Sequence, residues 1–292
     1  KKINKAESYI TRNKLPKLAI ISNWGNQHYS SLLELNQMGI KKFFIEKPVA
    51  NSIYQIDSLL NMAKNKKIEF VAGFGWRYSG LPEKIKEISC SHLGGDPKLI
   101  SMTGGAFGMV TNGIHFLDLA ISIFESEPIS VFSNLKSDKI NPRSKELDFW
   151  QGVSSWSFSN NKYLIISSSN HSSVASTIEI VCPKGKIIIN EDMSVSSYKR
   201  DESEIKNDPR VIRLGKASMR KELNYIPDYS KAYDRLISPL LNLNGDKIIN
   251  EEREVIATKS ILYSLVSSKL EKQISINEKI DDIYYNKEWM IS

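Results

Sequence analysis

The sequence predicts an α/β fold in which a parallel sheet is followed by an α+β part with a large, mostly antiparallel open sheet. Short apolar runs alternate with amphipathic helices over residues 18–74, and this alternation indicates crossover connections between parallel strands. From residue 129 onward, strand-like runs follow one another without long helices between them, as in an antiparallel sheet. The expected domains are residues 1–78 and 79–292.

Each element of the parallel part has its own signal. The predicted strands are short apolar runs bounded by polar residues; they are 18–21, 43–45 and 68–74. A helix is predicted over 26–38, where apolar residues share one stripe and Gly39 ends the pattern. A second helix is predicted to begin at Ser52, which forms a capping box with Gln55.

After Arg77 the pattern changes. Helices are predicted over 82–89 and 111–124, with a strand near 98–102 between them. The strand-like runs of the second sheet are 129–135, 149–158, 163–169, 176–182, 185–189 and 194–199. Two further helices, 228–243 and 251–270, are expected to close the chain, and Pro239 is expected to bend or end the first of them.

Composition places the chain among ordinary globular proteins. Of its 292 residues, 41% are hydrophobic and 25% are charged. No run of 18 or more apolar residues occurs, so we expect no membrane span. The first residues lack the apolar segment of a secretory signal. Cys90 and Cys182 stand far apart without a partner motif, which indicates a reducing cytoplasm and neither a disulfide nor a zinc site.

The net charge of +7 raises the question of a nucleic-acid partner. The lysines are spread along the whole chain among Glu and Asp, and no basic block with interleaved aromatic residues is present. A dispersed excess of this kind is typical of a solvated surface. We therefore expect no nucleic-acid partner.

A charged pair follows the second predicted strand. Residues 43–45 lead directly into Glu46 and Lys47, and Pro48 then ends the strand. In open α/β sheets, ligands bind outside the carboxyl ends of the strands. The position indicates a functional lysine in a cleft, with a lysine that merely caps the strand end as the alternative.

Three segments together resemble a known family. They are Glu46-Lys47-Pro48, Gly73-Phe74-Gly75-Trp76-Arg77-Tyr78 and Gly113-Ile114-His115-Phe116-Leu117-Asp118-Leu119. In this order they resemble the Gfo/Idh/MocA family of NAD(P)-dependent sugar oxidoreductases. Residues 225–233 and the final helix are similar to that family's closing segment, so the resemblance covers nearly the whole chain.

The resemblance implies a Rossmann-type dinucleotide-binding domain followed by an α+β domain whose open sheet often mediates oligomers. It implies hydride transfer between NAD or NADP and a sugar, nucleotide sugar or polyol. It also implies a homo-oligomer, either a dimer or a tetramer, formed through the open sheet.

Carried over from the family, the catalytic candidates are Lys47 and His115. Lys47 would contact both the nicotinamide ribose and the substrate hydroxyl, and Glu46 and Pro48 would lie near the nicotinamide end of the cofactor. A histidine titrates near neutral pH and can remove a hydroxyl proton, while a lysine stabilises a developing alkoxide. The alternative for His115 is a side chain that only fills a helix face.

Thr111 departs from the family pattern. The family usually has an aspartate four residues before the histidine, one helical turn earlier on the same face. Here Thr111 holds that position with Asn112 beside it, and a threonine cannot act as a carboxylate base. Either His115 works with Lys47 alone or catalysis is weakened. Thr111 and Asn112 are expected on the substrate side of the pocket.

Further ligand contacts are predicted at two other strand ends. Asn23, Trp24 and His28 belong to a loop that lies against the cofactor in the family, at a helix N-terminus whose N–H groups suit anions. Trp24 would stack on the nicotinamide or belong to the core. No second metal ligand stands at a useful spacing from His28. Arg77 is expected to bind a substrate phosphate or carboxylate, with a surface ion pair as the alternative.

The glycine-rich phosphate loop of a dinucleotide-binding fold has no counterpart in residues 1–17. Residues 18–21 match the fourth strand of the family, so the first βαβ half of the parallel sheet is expected to be absent. Either that half precedes Lys1 in the complete protein, or the chain does not hold a pyrophosphate. The glycine-rich run 104–108 is predicted to be a substrate-side loop.

Three functions remain open from the sequence. The first is a cytoplasmic NAD(P)-dependent oxidoreductase acting on a sugar, nucleotide sugar or polyol. The second is a regulatory protein that binds sugar or dinucleotide without turnover, which Thr111 and the missing glycine loop favour. The third is a structural or assembly subunit that uses the open sheet.

Overall fold

A computed structural model describes residues 15–207, 219–225, 231–241 and 249–291. Within these ranges the chain forms a three-stranded parallel sheet, in the order β1-β2-β3, and a nine-stranded sheet, in the order β11-β10-β9-β8-β4-β7-β6-β5-β12. The predicted fold class is therefore confirmed. Predictions for residues 1–14, and for the parts of the closing segment at 226–230 and 242–248, lie outside the described residues.

The bounds of the elements match most of the predicted ones within a few residues. The strands are β1 (Ala19–Ile21), β2 (Lys42–Ile45), β3 (Glu69–Ala72), β4 (Leu99–Gly104), β5 (Pro128–Asp138), β6 (Phe149–Phe158), β7 (Lys162–Ser168), β8 (Thr177–Cys182), β9 (Gly185–Ile189), β10 (Val195–Arg200), β11 (Met219–Tyr225) and β12 (Ile274–Ser275). The α-helices are α1 (His28–Gln37), α2 (Ile53–Lys64), α3 (Leu81–His92), α4 (Gly113–Phe124), α5 (Glu202–Asn207), α6 (Ala232–Leu241), α7 (Glu251–Leu270) and α8 (Asp282–Tyr285).

The parallel sheet has both faces covered, as its continuous apolar strands require. Successive side chains of β2 point to opposite faces, so Phe43 joins the main core while Phe44 packs with Leu236 and Leu240 of α6 on the other side. The predicted cap of α2 is present, because the Ser52 hydroxyl accepts a hydrogen bond from the Gln55 N–H at 3.2 Å. Pro239 lies inside α6.

The second sheet is antiparallel except between β4 and β7, which pair in parallel. One face packs on helices and the other is open. On β5, Val131 and Leu135 are buried while Phe132 is 50% exposed. The sequence missed β11 and β12 because neither carries an apolar run of useful length.

Helix α7 packs against both sheets and joins them. It contacts α2 and β3 on one side and α4 and β5 on the other. Serines on this helix also bond to the second sheet: the hydroxyls of Ser267 and Ser268 accept hydrogen bonds from the backbone N–H groups of Ser133 and Leu135 at 3.1 and 2.8 Å. One apolar core therefore extends across both sheets, and the boundary after residue 78 stays a prediction. Of the described helices, including the 20-residue α7, none is both long and apolar enough to span a membrane.

A buried group of charges fixes α4 and α7 against the end of β3. The Arg77 guanidinium, from the short 3-10 helix Gly75–Tyr78 that follows β3, lies 3.1 Å from an Asp118 carboxylate oxygen and 2.9 Å from Glu254. Arg253 donates to the same Asp118 carboxylate at 2.9 Å, and Glu254 also accepts the Ala72 N–H at 2.7 Å. Because each charge has a partner, burial of the group is tolerated, whereas loss of one member would leave the others unpaired.

We predict that Asp118→Ala lowers the free energy of unfolding by about 3–5 kcal/mol, because two arginines would lose their shared carboxylate. The measurement is the urea midpoint followed by circular dichroism. Lys272→Ala, which removes an exposed ion pair with Glu278 at 3.7 Å, is the matched control and should cost at most about 1 kcal/mol. Equal losses in the two variants would contradict the structural role assigned to Asp118.

Candidate active site

The carboxyl ends of the three parallel strands meet at one edge of the first sheet. The segment after β1 contains Asn23 and Trp24, the segment after β2 contains Lys47, and the segment after β3 contains Trp76. Parallel strands place such segments side by side, and this edge is where open α/β sheets bind ligands. The start of α4, which carries His115, packs against the same edge.

Lys47 connects the end of β2 to the start of α4. Its side-chain Nζ donates a hydrogen bond to the backbone oxygen of Thr111 at 2.7 Å, and the residue is only 8% exposed. Burial and the nearby cation of Arg143 lower the pKa of Lys47 to about 8, with the carboxylate of Glu46 acting in the opposite direction. A lysine with this pKa exists in both protonation states near neutral pH.

His115 lies beside Lys47 within an aromatic group. Its ring centroid is 5.5 Å from that of Trp76 and 6.1 Å from that of Phe74. Its Nδ1 atom is buried and has no hydrogen-bond partner among the described residues. Burial, together with the positive charge of Lys47, lowers the pKa of His115 to about 3, so the imidazole is neutral at physiological pH.

A cavity of about 240 Å³ opens at His115 between α4 and the second sheet. Its walls are mostly aromatic and aliphatic, with a few polar side chains, which is the usual character of a small-molecule site. The lining residues are Trp76, Phe107, Asn112, His115, Phe116, Ala175, Ser176, Ile178, Ile189, Asn190, Glu191 and Met193. The predicted residues Asn112 and His115 thus share one cavity.

Thr111 takes part through its backbone rather than its side chain. The carbonyl that receives the Lys47 hydrogen bond would be present with any residue at this position. Asn112 donates to the Phe107 backbone oxygen at 2.6 Å, which fixes the run 104–108 against the start of α4. Phe107, in this run, lies in the cavity wall. The substrate contacts predicted for Thr111 and Asn112 stay predictions.

The carboxylate of Glu46 lies against Gly73, at the end of β3. A Cβ atom at Gly73 would come within 2.8 Å of a Glu46 carboxylate oxygen, so a side chain at this position would push the carboxylate aside. Burial raises the pKa of Glu46, while Lys47 acts in the opposite direction. The ring of Tyr233 of α6 lies close to Gly75 in the same segment, and burial, followed by the carboxylate of Glu46, raises the pKa of its hydroxyl.

His28 joins two of the strand-end segments. Its Nδ1 lies 2.8 Å from the Pro48 backbone oxygen and its Nε2 lies 2.9 Å from that of Asn23, and the residue is 1% exposed. Burial lowers the pKa of His28 more than these two carbonyls raise it. Both ring nitrogens of His28 therefore face backbone oxygens of the protein, and neither is available for the predicted contact with a cofactor. The geometry instead indicates that His28 positions the segment Lys47-Pro48.

The other residues of the first segment differ in their contacts. Asn23 uses its amide nitrogen within its own segment, on Ser31 at 2.9 Å and Gln27 at 3.3 Å. Trp24 is 37% exposed. It is not part of the buried core, so the alternative that Trp24 is a core residue is wrong. Contacts of Asn23, Trp24, Glu46 and Pro48 with a cofactor stay predictions.

Arg77 lies in the buried charge group instead of at the surface. Its guanidinium has two carboxylate partners, and the side chain is 7% exposed. Neither a substrate anion nor a surface ion pair fits these contacts, because both partners of Arg77 are internal. The sequence missed this group because Asp118, Arg253 and Glu254 come from distant helices.

Sequence reasoning also missed several residues of the site. Trp76 follows the end of β3 by four residues and was detectable from its place near a strand end. Phe107 belongs to the run 104–108, which the sequence predicted to be a substrate-side loop, and it does line the cavity. Glu191 and Met193 carry no signal, because their positions depend on how α4 meets the second sheet. Arg143, from the segment between β5 and β6, affects Lys47 only through the tertiary fold. Within the described ranges, no group of His, Cys, Asp or Glu side chains is arranged to hold a metal ion.

Comparison of the fold with solved structures gives many matches at low sequence identity. An oxidoreductase from Agrobacterium radiobacter, in complex with NAD+, L-tartaric acid and magnesium, is 13% identical with a TM-score of 0.66, covering 93% of this chain and 83% of its own. An aldose-aldose oxidoreductase from Caulobacter crescentus, complexed with glycerol, is 14% identical with a TM-score of 0.69, covering 93% and 82%.

A third structure with the same fold is a super-repressor mutant of Gal80p from Saccharomyces cerevisiae. It is 13% identical with a TM-score of 0.68, covering 94% of this chain and 88% of its own. No protein-family model and no curated protein sequence matches the chain. The comparisons therefore show the fold of NAD-binding oxidoreductases, at identities too low to carry function.

We predict that Thr111→Asp raises the pKa of His115 from about 3 toward its ordinary value, because a carboxylate four residues before the histidine, at the start of the helix, favours the imidazolium. The measurement is an NMR titration of the histidine Cε1 protons, with His115→Gln assigning the signal. Thr111→Asn, similar in shape without the charge, should leave the pKa unchanged. Identical titrations for the two variants would contradict the electrostatic reason.

Proposed function

We propose that the protein is an NAD(P)-dependent oxidoreductase of the Gfo/Idh/MocA family that acts on a sugar or polyol. One observation carries the proposal: Lys47, from the end of a parallel strand, bonds to the backbone just before the helix that presents His115 to a cavity. Lys47 follows a strand of the parallel sheet, whereas His115 lies on a helix, and the strand edge beside them is where such folds bind ligands. The similarity of fold to two oxidoreductases supports the same conclusion.

The described residues fit the nicotinamide end of the cofactor. Lys47 offers an ammonium with two N–H groups left after its bond to Thr111, and the exposed ring of Trp24 stands at the same strand edge. The pyrophosphate end is different, because no described residue supplies a glycine-rich phosphate loop. The nicotinamide, when bound, would supply the hydride chemistry, and Lys47, Glu46 and Trp24 would hold it.

The pKa values favour Lys47 for the proton transfer, whereas the sequence assigns this role to His115. A neutral imidazole with a pKa of about 3 is a weak base, since effective acid–base groups have a pKa near the operating pH. Lys47, with a pKa of about 8, meets this condition. In alcohol oxidation the neutral Lys47 amine takes the hydroxyl proton, and His115 orients that hydroxyl by a hydrogen bond.

The direction of the pH dependence follows from these assignments. Oxidation requires Lys47 without its proton, so its rate should rise as the pH increases through about 8. Reduction requires the protonated lysine as the acid, so its rate should fall over the same interval. A pH profile of both directions therefore identifies the group that moves the proton.

We predict that Lys47→Met lowers kcat by about 10²–10⁴-fold and removes the transition near pH 8. His115→Asn should lower kcat by about 10²-fold through loss of orientation and keep that transition. The assay follows nicotinamide absorbance with neutral aldoses and polyols, and NADH fluorescence reports cofactor binding separately. Lys41→Met, at the opposite end of the same strand and exposed, is the control and should behave as the unsubstituted protein.

A regulatory protein on the same fold is the second candidate function. The similarity to a Gal80p super-repressor and the lack of a carboxylate at Thr111 support it. If the protein is regulatory, it should bind NADH or sugar without turnover of any substrate, and Lys47→Met should leave this binding unchanged. That result would contradict the oxidoreductase.

Assembly through the open sheet is part of the proposal. The outer face of the second sheet exposes Phe132, Val153 and Tyr163, each 44–50% accessible, on neighbouring strands. Apolar residues that cluster on one face are typical of an interface between subunits. We infer a homo-oligomer, a dimer or tetramer, working in the cytoplasm.

A further inference from the structure

We propose that the cavity at His115 selects a single sugar ring, neutral or amino-bearing, and rejects sugar acids and phosphates through the carboxylate of Glu191. The inference rests on the proposed function and narrows its substrate class. It comes from the size of the cavity, the nature of its walls and the charge that they carry.

The size of the cavity limits the ligand. Its volume is about 240 Å³, whereas pockets for drug-sized ligands measure about 300–1,000 Å³. A sugar carrying a nucleoside diphosphate would exceed this space. A single ring or a short polyol is therefore the occupant that suits the site.

The walls suit the two kinds of surface on a sugar. Trp76 and Phe107 present aromatic side chains on which the C–H face of a ring can pack. The amide nitrogens of Asn112 and Asn190 are bonded to Phe107 and Ser194, so their amide oxygens are the atoms that would accept hydrogen bonds from hydroxyls. The Nδ1 atom of His115 is buried and has no hydrogen-bond partner in the part of the chain that the structure describes.

The charge on the walls determines which substituents are accepted. Among the described lining residues, Glu191 carries the one charged side chain, since His115 is neutral and neither lysine nor arginine is present. Lys47 is bonded to the backbone oxygen of Thr111, next in the chain to the lining residue Asn112, and the reacting hydroxyl would lie at this side of the cavity. A carboxylate or phosphate on the ring would be repelled by Glu191, and an ammonium would be attracted.

The turn that carries Glu191 is held in place by its neighbours. Asn190 connects both sides of the turn between β9 and β10, with its backbone N–H donating to the Ser194 oxygen at 2.8 Å and its side chain donating to the Ser194 hydroxyl at 3.0 Å. Asp192 lies next in the chain but outside the cavity lining, and its carboxylate accepts the Ser194 N–H at 2.9 Å. It is therefore a matched control for charge.

The test is a binding titration by saturation-transfer NMR with three rings that differ in charge: glucose, glucosamine and glucuronate. It is made below neutral pH, where the glucosamine amine is protonated, and in the presence and absence of NAD+. The unsubstituted protein should bind glucose and glucosamine and bind glucuronate more weakly. Glu191→Gln should lower the preference for glucosamine over glucose about three- to fivefold, the effect of one exposed charge pair. Asp192→Asn should leave the preference unchanged.

Two results would overturn the inference: glucuronate binding as tightly as glucose, or equal preferences in Glu191→Gln and Asp192→Asn. Failure to bind any of the three rings would overturn it as well. Because the readout is binding, it is separate from hydride transfer. The expected charge preference without turnover would support the inference while contradicting the oxidoreductase proposal.

Discussion

The hydrogen bond from Lys47 to the backbone of Thr111 is the contact on which the candidate site depends. It crosses from the end of a parallel strand to the turn that immediately precedes the helix carrying His115. It orients the buried ammonium of Lys47 and uses one of its N–H groups, which leaves the other two N–H groups for a ligand. Burial lowers the pKa of both groups; the cation of Arg143 adds to this effect for Lys47, and the cation of Lys47 adds to it for His115.

The contact is possible because the two sheets cannot shift independently. Asp118 and Glu254 hold Arg77 from helices that belong to the second part of the chain, and α7 extends the apolar core under both sheets. Breaking a fully paired buried charge group is costly, so the two sheets are fixed in one relative position. His28 also fixes segments relative to each other, because its ring lies between a backbone oxygen of the segment after β1 and one of the segment after β2.

Much of this arrangement was readable in the sequence. Alternating apolar runs and helices defined the parallel strands, and strand-end position alone distinguished Lys47 from the other lysines. The roles of individual groups were less accessible. Nothing in the sequence shows that Arg77 faces two carboxylates, that Arg143 approaches Lys47, or that burial separates the pKa values of Lys47 and His115. These properties arise from contacts between distant segments, which local patterns do not encode.

The most direct test of the account uses His115 to observe Lys47. Since the imidazole is neutral above about pH 3, its NMR signals should sense the loss of the neighbouring charge as a step near pH 8. The account predicts this step in the unsubstituted protein and its absence in Lys47→Met. A His115 signal that shows no step near pH 8, or one that persists without Lys47, would contradict the central claim that the two groups share one site.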